Sequence, residues 1–336
     1  MAGKQRATTL VDIAEEAGVS IATVSKALNG RTDVKAETRE RILSISRERG
    51  FTPNAAARTL LGGRSGTVGL ITSDLEGRFG IPVMMGAEDA FGAGEMSVFL
   101  CDARGDSIRE QHHIDALLSR RVEGIIVVGA STNPRPPLAR RPPVPVVYAY
   151  APSEDSDDQS IIGDNVEAGR MTVRHLIDVG RARIAHISGD REYAAAVDRA
   201  KGVQTELDAH GLELAGSEPL YGAWSEGWGR RAVRVLLERE PTVDGIVCGS
   251  DQIARGVIEG LMELGRRVPE DISVIGFDNW RVIAENTRPP LTSIDFRLQD
   301  IGRIAAERLF AAIDGHSDKG MITVAPRLVV RNTTVP

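Results

Sequence analysis

At 336 residues, with 42% hydrophobic and 26% charged side chains, the chain is long enough for more than one domain around a sizeable core, which excludes global disorder. No stretch reaches the ~18 apolar residues needed to cross a bilayer, and Met1 to Thr9 is polar and basic with no secretory core, so a cytoplasmic protein with no membrane partner is expected. The formal charge is −6, divided unevenly: residues 1–64 carry +4 and the remainder −10, as when one domain alone meets DNA.

The first elements read as two short helices and a tight turn. Thr9 can cap a helix and Asp12 can answer it, an acidic variant of the capping box. Ile13, Ala14 and Ala17 recur at helical spacing, and Gly18 can take the left-handed conformation that ends the helix. Ser20 then caps a second helix, with Val24 and Leu28 on one face and Ala27 beside them. This is a helix-turn-helix, whose second helix lies in the DNA major groove. Ala36 to Arg49 predicts a third amphipathic helix, apolar at Ile42, Leu43 and Ile45. Beyond Pro53, the Ala-rich run from Asn54 to Leu61 predicts a short helix, closed by glycines and marginal alone at about eight residues.

From Thr67 onward strands alternate with helices. Nine apolar runs predict strands: Val68–Ser73, Ser97–Cys101, Gly124–Val128, Val144–Tyr148, Ser160–Ile162, Arg183–Ser188, Gly245–Cys248, Ser273–Phe277 and Thr292–Ile294. Helical patterns between them cover Ile81–Phe91, Ser107–Arg120, Glu167–Val179, Ala195–Ala209, Ser225–Glu238, Asp251–Leu264 and Arg297–Ile313. Continuous apolar strands with helices between them indicate parallel sheets covered on both faces. The run exceeds one sheet of ordinary size, so two doubly wound lobes are expected, with a ligand cleft at the strand ends. Those ends present Ser73-Asp74, Asp102, Asp164-Asn165, Gly189-Asp190, Ser250-Asp251 and Asp278-Asn279, a polar set suited to a polyhydroxylated ligand. Asp251 is expected to cap the helix it begins. Cys101 and Cys248 fall in predicted strands far apart in sequence and are expected to be buried, reduced thiols.

The string from Asp12 to Asn29, with Glu37-Thr-Arg39, Pro53-Asn54 and Leu60, resembles the lac repressor/purine repressor (LacI/GalR) family of bacterial transcription regulators. The resemblance implies an all-α helix-turn-helix head (1–53), a hinge helix and linker (54–66) and an α/β body (67–336) of periplasmic-binding-protein-like (type I) architecture. The body would bind an effector and dimerise, with lobe crossings near Asn165, Leu291 and Val324. It places Ile21, Ala22 and Lys26 at base-reading positions, and Thr9, Ser20, Thr23, Ser25 and Asn29 at backbone or capping positions. Asn54, Ala57, Arg58 and Leu60 fall in a hinge that folds on the operator, with Leu60 as the minor-groove wedge. Ser73, Phe79, Asp164, Arg199, Trp224, Ser250, Asp278 and Phe296 fall at effector positions. Four residues depart from the pattern: Ile21 and Ala22 offer no hydrogen bonds to bases, Lys35 replaces a capping serine, and Ser250 replaces the asparagine common before Asp-Gln, leaving one fewer amide in the pocket.

The implied partners are a pseudo-palindromic double-stranded operator, a small effector that is a carbohydrate by the wealth of carboxylates, and a second copy of the chain. A purine is the alternative guest, and a solute-binding protein of a transport system is the alternative class. No catalytic residue, cofactor or metal is expected. Gly92-Ala-Gly-Glu-Met-Ser97 lacks the third glycine of a dinucleotide fingerprint, Ser250 has no Gly-x-Ser-x-Gly frame, and His112-His113 are adjacent, which is wrong for two ligands on one helix face.

Overall fold

The structure, a computed structural model, describes residues 8–28, 34–51, 65–75, 78–92 and 96–335. It divides into two compact units, Met1–Ser65 and Gly66–Pro336.

The first unit contains α1 (Leu10–Ala17), α2 (Ile21–Leu28) and α3 (Ala36–Glu48). Thr9 and Asp12 form the expected capping box: the Asp12 carboxylate accepts from the Thr9 backbone N–H at 2.7 Å, and the Thr9 hydroxyl accepts from the Asp12 N–H at 3.3 Å. Gly18 ends α1 in the left-handed region at φ 64°, and the Ser20 hydroxyl accepts from the Thr23 N–H at 3.1 Å to start α2. Ile13, Val24, Ala27 and Ile42 close a small core, while Leu43 is exposed. α3 starts at Lys35 without a side-chain cap.

The second unit holds two sheets. The first lobe orders its strands β10-β5-β4-β3-β1-β2, all parallel, with β1 Thr67–Thr72, β2 Ser97–Asp102, β3 Ile125–Val128, β4 Val146–Ala149, β5 Gln159–Gly163 and β10 Gly320–Val324. The second orders them β11-β9-β8-β7-β6, with β6 Ile184–Ile187, β7 Gly245–Cys248, β8 Ser273–Phe277, β9 Thr292–Asp295 and β11 Arg327–Val329. Among the described strands only β11 runs antiparallel. Its helices are α4 (Gly80–Phe91), α5 (Ser107–Ser119), α6 (Asn165–Asp178), α7 (Ala194–Ala209), α8 (Glu226–Arg239), α9 (Asp251–Glu263), α10 (Arg281–Ala284) and α11 (Leu298–Ile313). β3, with Ile-Ile-Val-Val wholly buried, shows why the pattern is continuous: both of its faces are covered. Cys248 is buried as expected; Cys101, near the sheet edge on β2, is only half-buried.

The chain passes between lobes three times. It leaves the first sheet after β5 and enters the second lobe with α6. It returns after β9, at Phe296-Arg297, because α11 packs on the first lobe while Leu291 sits in the second lobe's core. It leaves again between β10 and β11.

Three helix pairs are drawn together by reciprocal glycines. A Cβ on Gly86 of α4 would meet the Gln299 carbonyl of α11, and one on Gly302 would meet the Val83 carbonyl in return. Gly169 and Gly202 stand in the same relation between α6 and α7, as do Gly229 and Gly256 between α8 and α9. The obstacle is backbone each time, so it cannot swing aside. Gly202→Ala is therefore expected to destabilise the body by ~1–3 kcal/mol despite alanine's better helix propensity. Gly227→Ala, exposed on α8 with no atom nearer than an arginine tip at 3.6 Å, should be neutral or stabilising by up to ~1 kcal/mol. Urea unfolding of both variants checks the contrast.

Candidate functional site

In the head, packing decides which face of α2 is presented. Val24 and Ala27 are buried in the core, which turns Ile21, Ala22 and Lys26 outward; Ile21 is 48% exposed. Thr23 and Ser25 are half-buried beside them, and the Thr23 and Ser20 hydroxyls lie 2.9 Å apart at the start of the helix. Asn29, Asn54, Ala57, Arg58 and Leu60 lie outside the described residues.

The second unit contains a cavity of about 580 Å³ between its lobes. The second lobe supplies Arg199, Trp224, Gln252, Asp278 and Trp280; the first supplies Arg78, Phe79, Ser131, Thr132 and Tyr150. The floor is an ion pair. Asp278 follows β8 with φ 97°, a region a non-glycine residue occupies only where its surroundings force it, and its N–H is held by the Ile294 carbonyl at 2.8 Å. One carboxylate oxygen accepts from Arg199 at 3.5 Å, the other from Arg78 at 2.7 Å. Arg199 is 3% exposed, its guanidinium stacked on Phe277 and Phe296 at 4.6 and 4.8 Å and bonded to the Asn165 amide oxygen at 2.9 Å. Arg78 crosses from the other lobe, reaches Gln252 at 3.1 Å and lies against the rings of Phe79 and Trp280. Phe79 stacks on Tyr150 at 4.5 Å and Trp224 meets Tyr193 edge-on at 5.7 Å, so aromatic surface lines both walls. Burial pushes the Tyr150 phenol up, so it stays a neutral hydroxyl.

A second bridge spans the lobes. Asn133, after β3, accepts from the Ala194 N–H at 2.8 Å and donates to the Glu192 carbonyl at 3.1 Å. A first-lobe side chain thus caps α7, whose own N-cap residue, Tyr193, makes no side-chain cap.

Of the residues singled out in sequence, Phe79, Arg199, Trp224 and Asp278 line the cavity. Four do not. Asp164 caps α6, accepting from the Glu167 N–H at 2.8 Å. Ser73 is half-buried beside the lining residue Asp74. Phe296 is buried beneath Arg199 and steadies it from behind. Ser250 caps α9 by accepting from Ile253, the role expected of Asp251. Asp251, wholly buried, instead accepts from the Ser293 hydroxyl at 2.6 Å and the Trp280 N–H at 2.7 Å. Burial, then the Asp278 charge, pushes its carboxyl well above the usual range. Sequence reasoning missed Arg78, Gln252 and Trp280, each within two residues of a recognised position, so that adjacency was their signal. It also missed Ser131, Thr132 and Tyr150, which follow the predicted strands ending at Val128 and Tyr148, and Tyr193, which precedes a predicted helix.

A head with an outward-facing second helix and a two-lobed body closing on a cavity define a helix-turn-helix transcriptional regulator with a ligand-binding body. Comparison with known proteins agrees. Residues 9–54 match the family described as bacterial regulatory proteins, lacI family, and residues 173–334 match a periplasmic binding protein-like domain. The chain is 33% identical to catabolite control protein A of Priestia megaterium over 97% of its own length and 99% of that protein's. It is 32% identical to the HTH-type transcriptional regulator CelR of Thermobifida fusca, over 98% and 99%. A lac repressor dimer bound to operator and the anti-inducer ONPF superposes with a TM-score of 0.80 at 28% identity, covering 98% of this chain and all of that one. A CelR–cellobiose complex gives 0.66 at 29%, over 97% and 99%. The chain belongs to the lacI family of bacterial regulatory proteins.

His186 lies on β6, wholly buried, and burial followed by the charge of Arg199 pulls its imidazole down to about 3. The unfolded chain, with an ordinary value of 6.5, takes up a proton that the folded chain refuses between those limits. Stability is therefore complete above pH 6.5 and falls as pH drops toward 3, by up to about 5 kcal/mol in all. His186→Leu should flatten that part of the acid limb in denaturant titrations; superimposable limbs would contradict this account.

Proposed function

We propose that the protein is a cytoplasmic homodimeric repressor of carbohydrate-utilisation genes. It binds a pseudo-palindromic operator and is controlled by a small sugar-like effector held between the lobes; it acts by binding, not by catalysis. The observation that carries the effector is the cavity itself. An aromatic ring at Trp224 offers a stacking face for the C–H side of a sugar, while Arg199 and Asp278 offer hydroxyl partners. The CelR complex, with cellobiose in that protein, supports the same class. Exposed apolar side chains support self-association: Phe99 and Leu100 on the edge strand β2, and Met262 and Val282 in the second lobe.

On DNA, Ile21 and Ala22 meet thymine methyls and Lys26 donates to a guanine, with Thr9, Ser20, Thr23, Ser25 and Asn29 at the backbone. Asn54, Ala57, Arg58 and Leu60 form the hinge, Leu60 entering the minor groove.

The test uses the full chain and an operator selected from random duplexes. Lys26→Ala should weaken binding by ~1–3 kcal/mol and relax preference at one base pair per half-site. Even loss across all sequences would make Lys26 a phosphate contact. One carbohydrate from a broad screen should raise the melting temperature and change operator affinity, and Trp224→Ala should lose both responses while keeping operator binding. A response to a purine and to no carbohydrate would overturn the ligand class.

A further inference from the structure

Two tryptophans of the second lobe rest on glycines within one small region. The loop that begins at Leu220 is laced to the end of β6. The Ser188 N–H donates to the Leu220 carbonyl at 2.7 Å, the Leu220 N–H to the His186 carbonyl at 2.9 Å, and the Gly222 N–H to the Gly189 carbonyl at 3.3 Å. Trp224 follows in that loop, and Trp228 stands in the first turn of α8. A Cβ on Gly189 would collide with Cδ2, Cε2 and Cε3 of Trp224, and one on Gly222 with the same three atoms of Trp228. The Cδ2–Cε2 bond is shared by the two rings of an indole, so an atom pressed on both its ends lies over the ring face and not at its edge. Each indole is therefore seated face-on against a glycine.

The two rings differ in what else holds them. The Trp228 indole N–H donates to the Ser188 carbonyl at 2.9 Å, which fixes its plane. The Trp224 indole N–H has no partner among the described residues. Its plane is set by packing, with Gly189 behind one face and Tyr193 edge-on at 5.7 Å. Gly189 is buried and its φ is not positive, so the backbone does not demand a glycine there, whereas the ring does. With one face on the backbone, Trp224 has its opposite face and its rim to offer the cavity it lines.

Resting on the carbohydrate reading, in which Trp224 is the stacking face, we propose that Gly189 is a positioning residue of the effector site. Lacking a side chain, it seats the indole and so sets the depth at which a sugar ring meets it. A gap of only about 0.5–1 Å forfeits a quarter to a half of the dispersion attraction between two atoms, so this depth governs affinity. A methyl group at position 189 would press on the rigid centre of a fused ring and not on a flexible tip. Relief then comes from moving the whole indole away from β6, into the space the guest uses.

The experiment compares the full-length protein with Gly189→Ala, Trp224→Phe and the double variant. Each is titrated calorimetrically with glucose, galactose, cellobiose, maltose, lactose and hypoxanthine. Acrylamide quenching reports the ring without any guest, because the emission lost in Trp224→Phe belongs to Trp224, one of three tryptophans. In Gly189→Ala that emission should become more accessible to the quencher. Affinity for the sugar that binds should fall about tenfold or more, while operator affinity stays within about twofold. A single six-membered ring leaves room for the methyl. Gly189→Ala made on Trp224→Phe should therefore cost less than about threefold in sugar affinity, and should restore any melting temperature that Gly189→Ala loses alone. Unchanged quenching and sugar affinity in Gly189→Ala, or the same loss on both backgrounds, would overturn this inference and leave the carbohydrate reading standing. Binding of hypoxanthine and of no sugar, or of no probe at all, would overturn the carbohydrate reading. The quenching comparison, which needs no guest, still decides the seat.

Discussion

The body is organised around one expensive arrangement, a carboxylate and a guanidinium buried together at the end of the second lobe's central strand. Removing either charge from water costs several kcal/mol, and the pair persists only because every neighbour serves it. Phe277 and Phe296 cover the faces of Arg199, Asn165 and Gly249 accept its N–H groups, and the Ile294 carbonyl holds the backbone of Asp278. These residues come from α6, β8, β9 and the loops between. The lobe crossings at Asn165 and Phe296 therefore meet at the base of the ion pair, and a shift at Asp278 is felt where the lobes are joined.

Arg78 and Asn133 extend this arrangement across the cleft. Each is a first-lobe side chain that completes a second-lobe structure, Arg78 the charge of Asp278 and Asn133 the open end of α7. A ligand in the cavity touches residues from both lobes, so its binding energy depends on how the lobes are set. It can change the relation between them only by as much as it prefers one setting. The reciprocal glycines give that setting definition: helices packed backbone against backbone within a lobe move as units.

Much of this was legible in the sequence. The head is written in local chemistry, from the Thr9–Asp12 box to Gly18 and Ser20, and local chemistry depends on no distant residue. The strands were legible because buried parallel strands are continuously apolar. β10 and β11 were not: Met321 is 59% exposed and Arg327 lies open to solvent, so these edge strands carry no such run. Part of the cavity was legible to within a residue or two, while Ser131, Thr132, Tyr150 and Tyr193 were not singled out at all. Whether Ser73 or Asp74, Ser250 or Gln252 reaches the cleft depends on the side-chain direction at each strand end, which spacing alone does not give. Arg78 was missed for a different reason: in sequence it is one loop arginine among many, and it gains meaning only when the second lobe brings Asp278 to it.

The central claim is that one ligand is held by both lobes at once and that this is how the body responds. Hydrogen–deuterium exchange of the full-length protein, with and without a bound carbohydrate, tests it most directly. The account predicts protection that appears together in peptides from the first lobe around Arg78 and Ser131 and from the second around Trp224 and Asp278–Trp280. Protection confined to one lobe, or lying away from these segments, would contradict it.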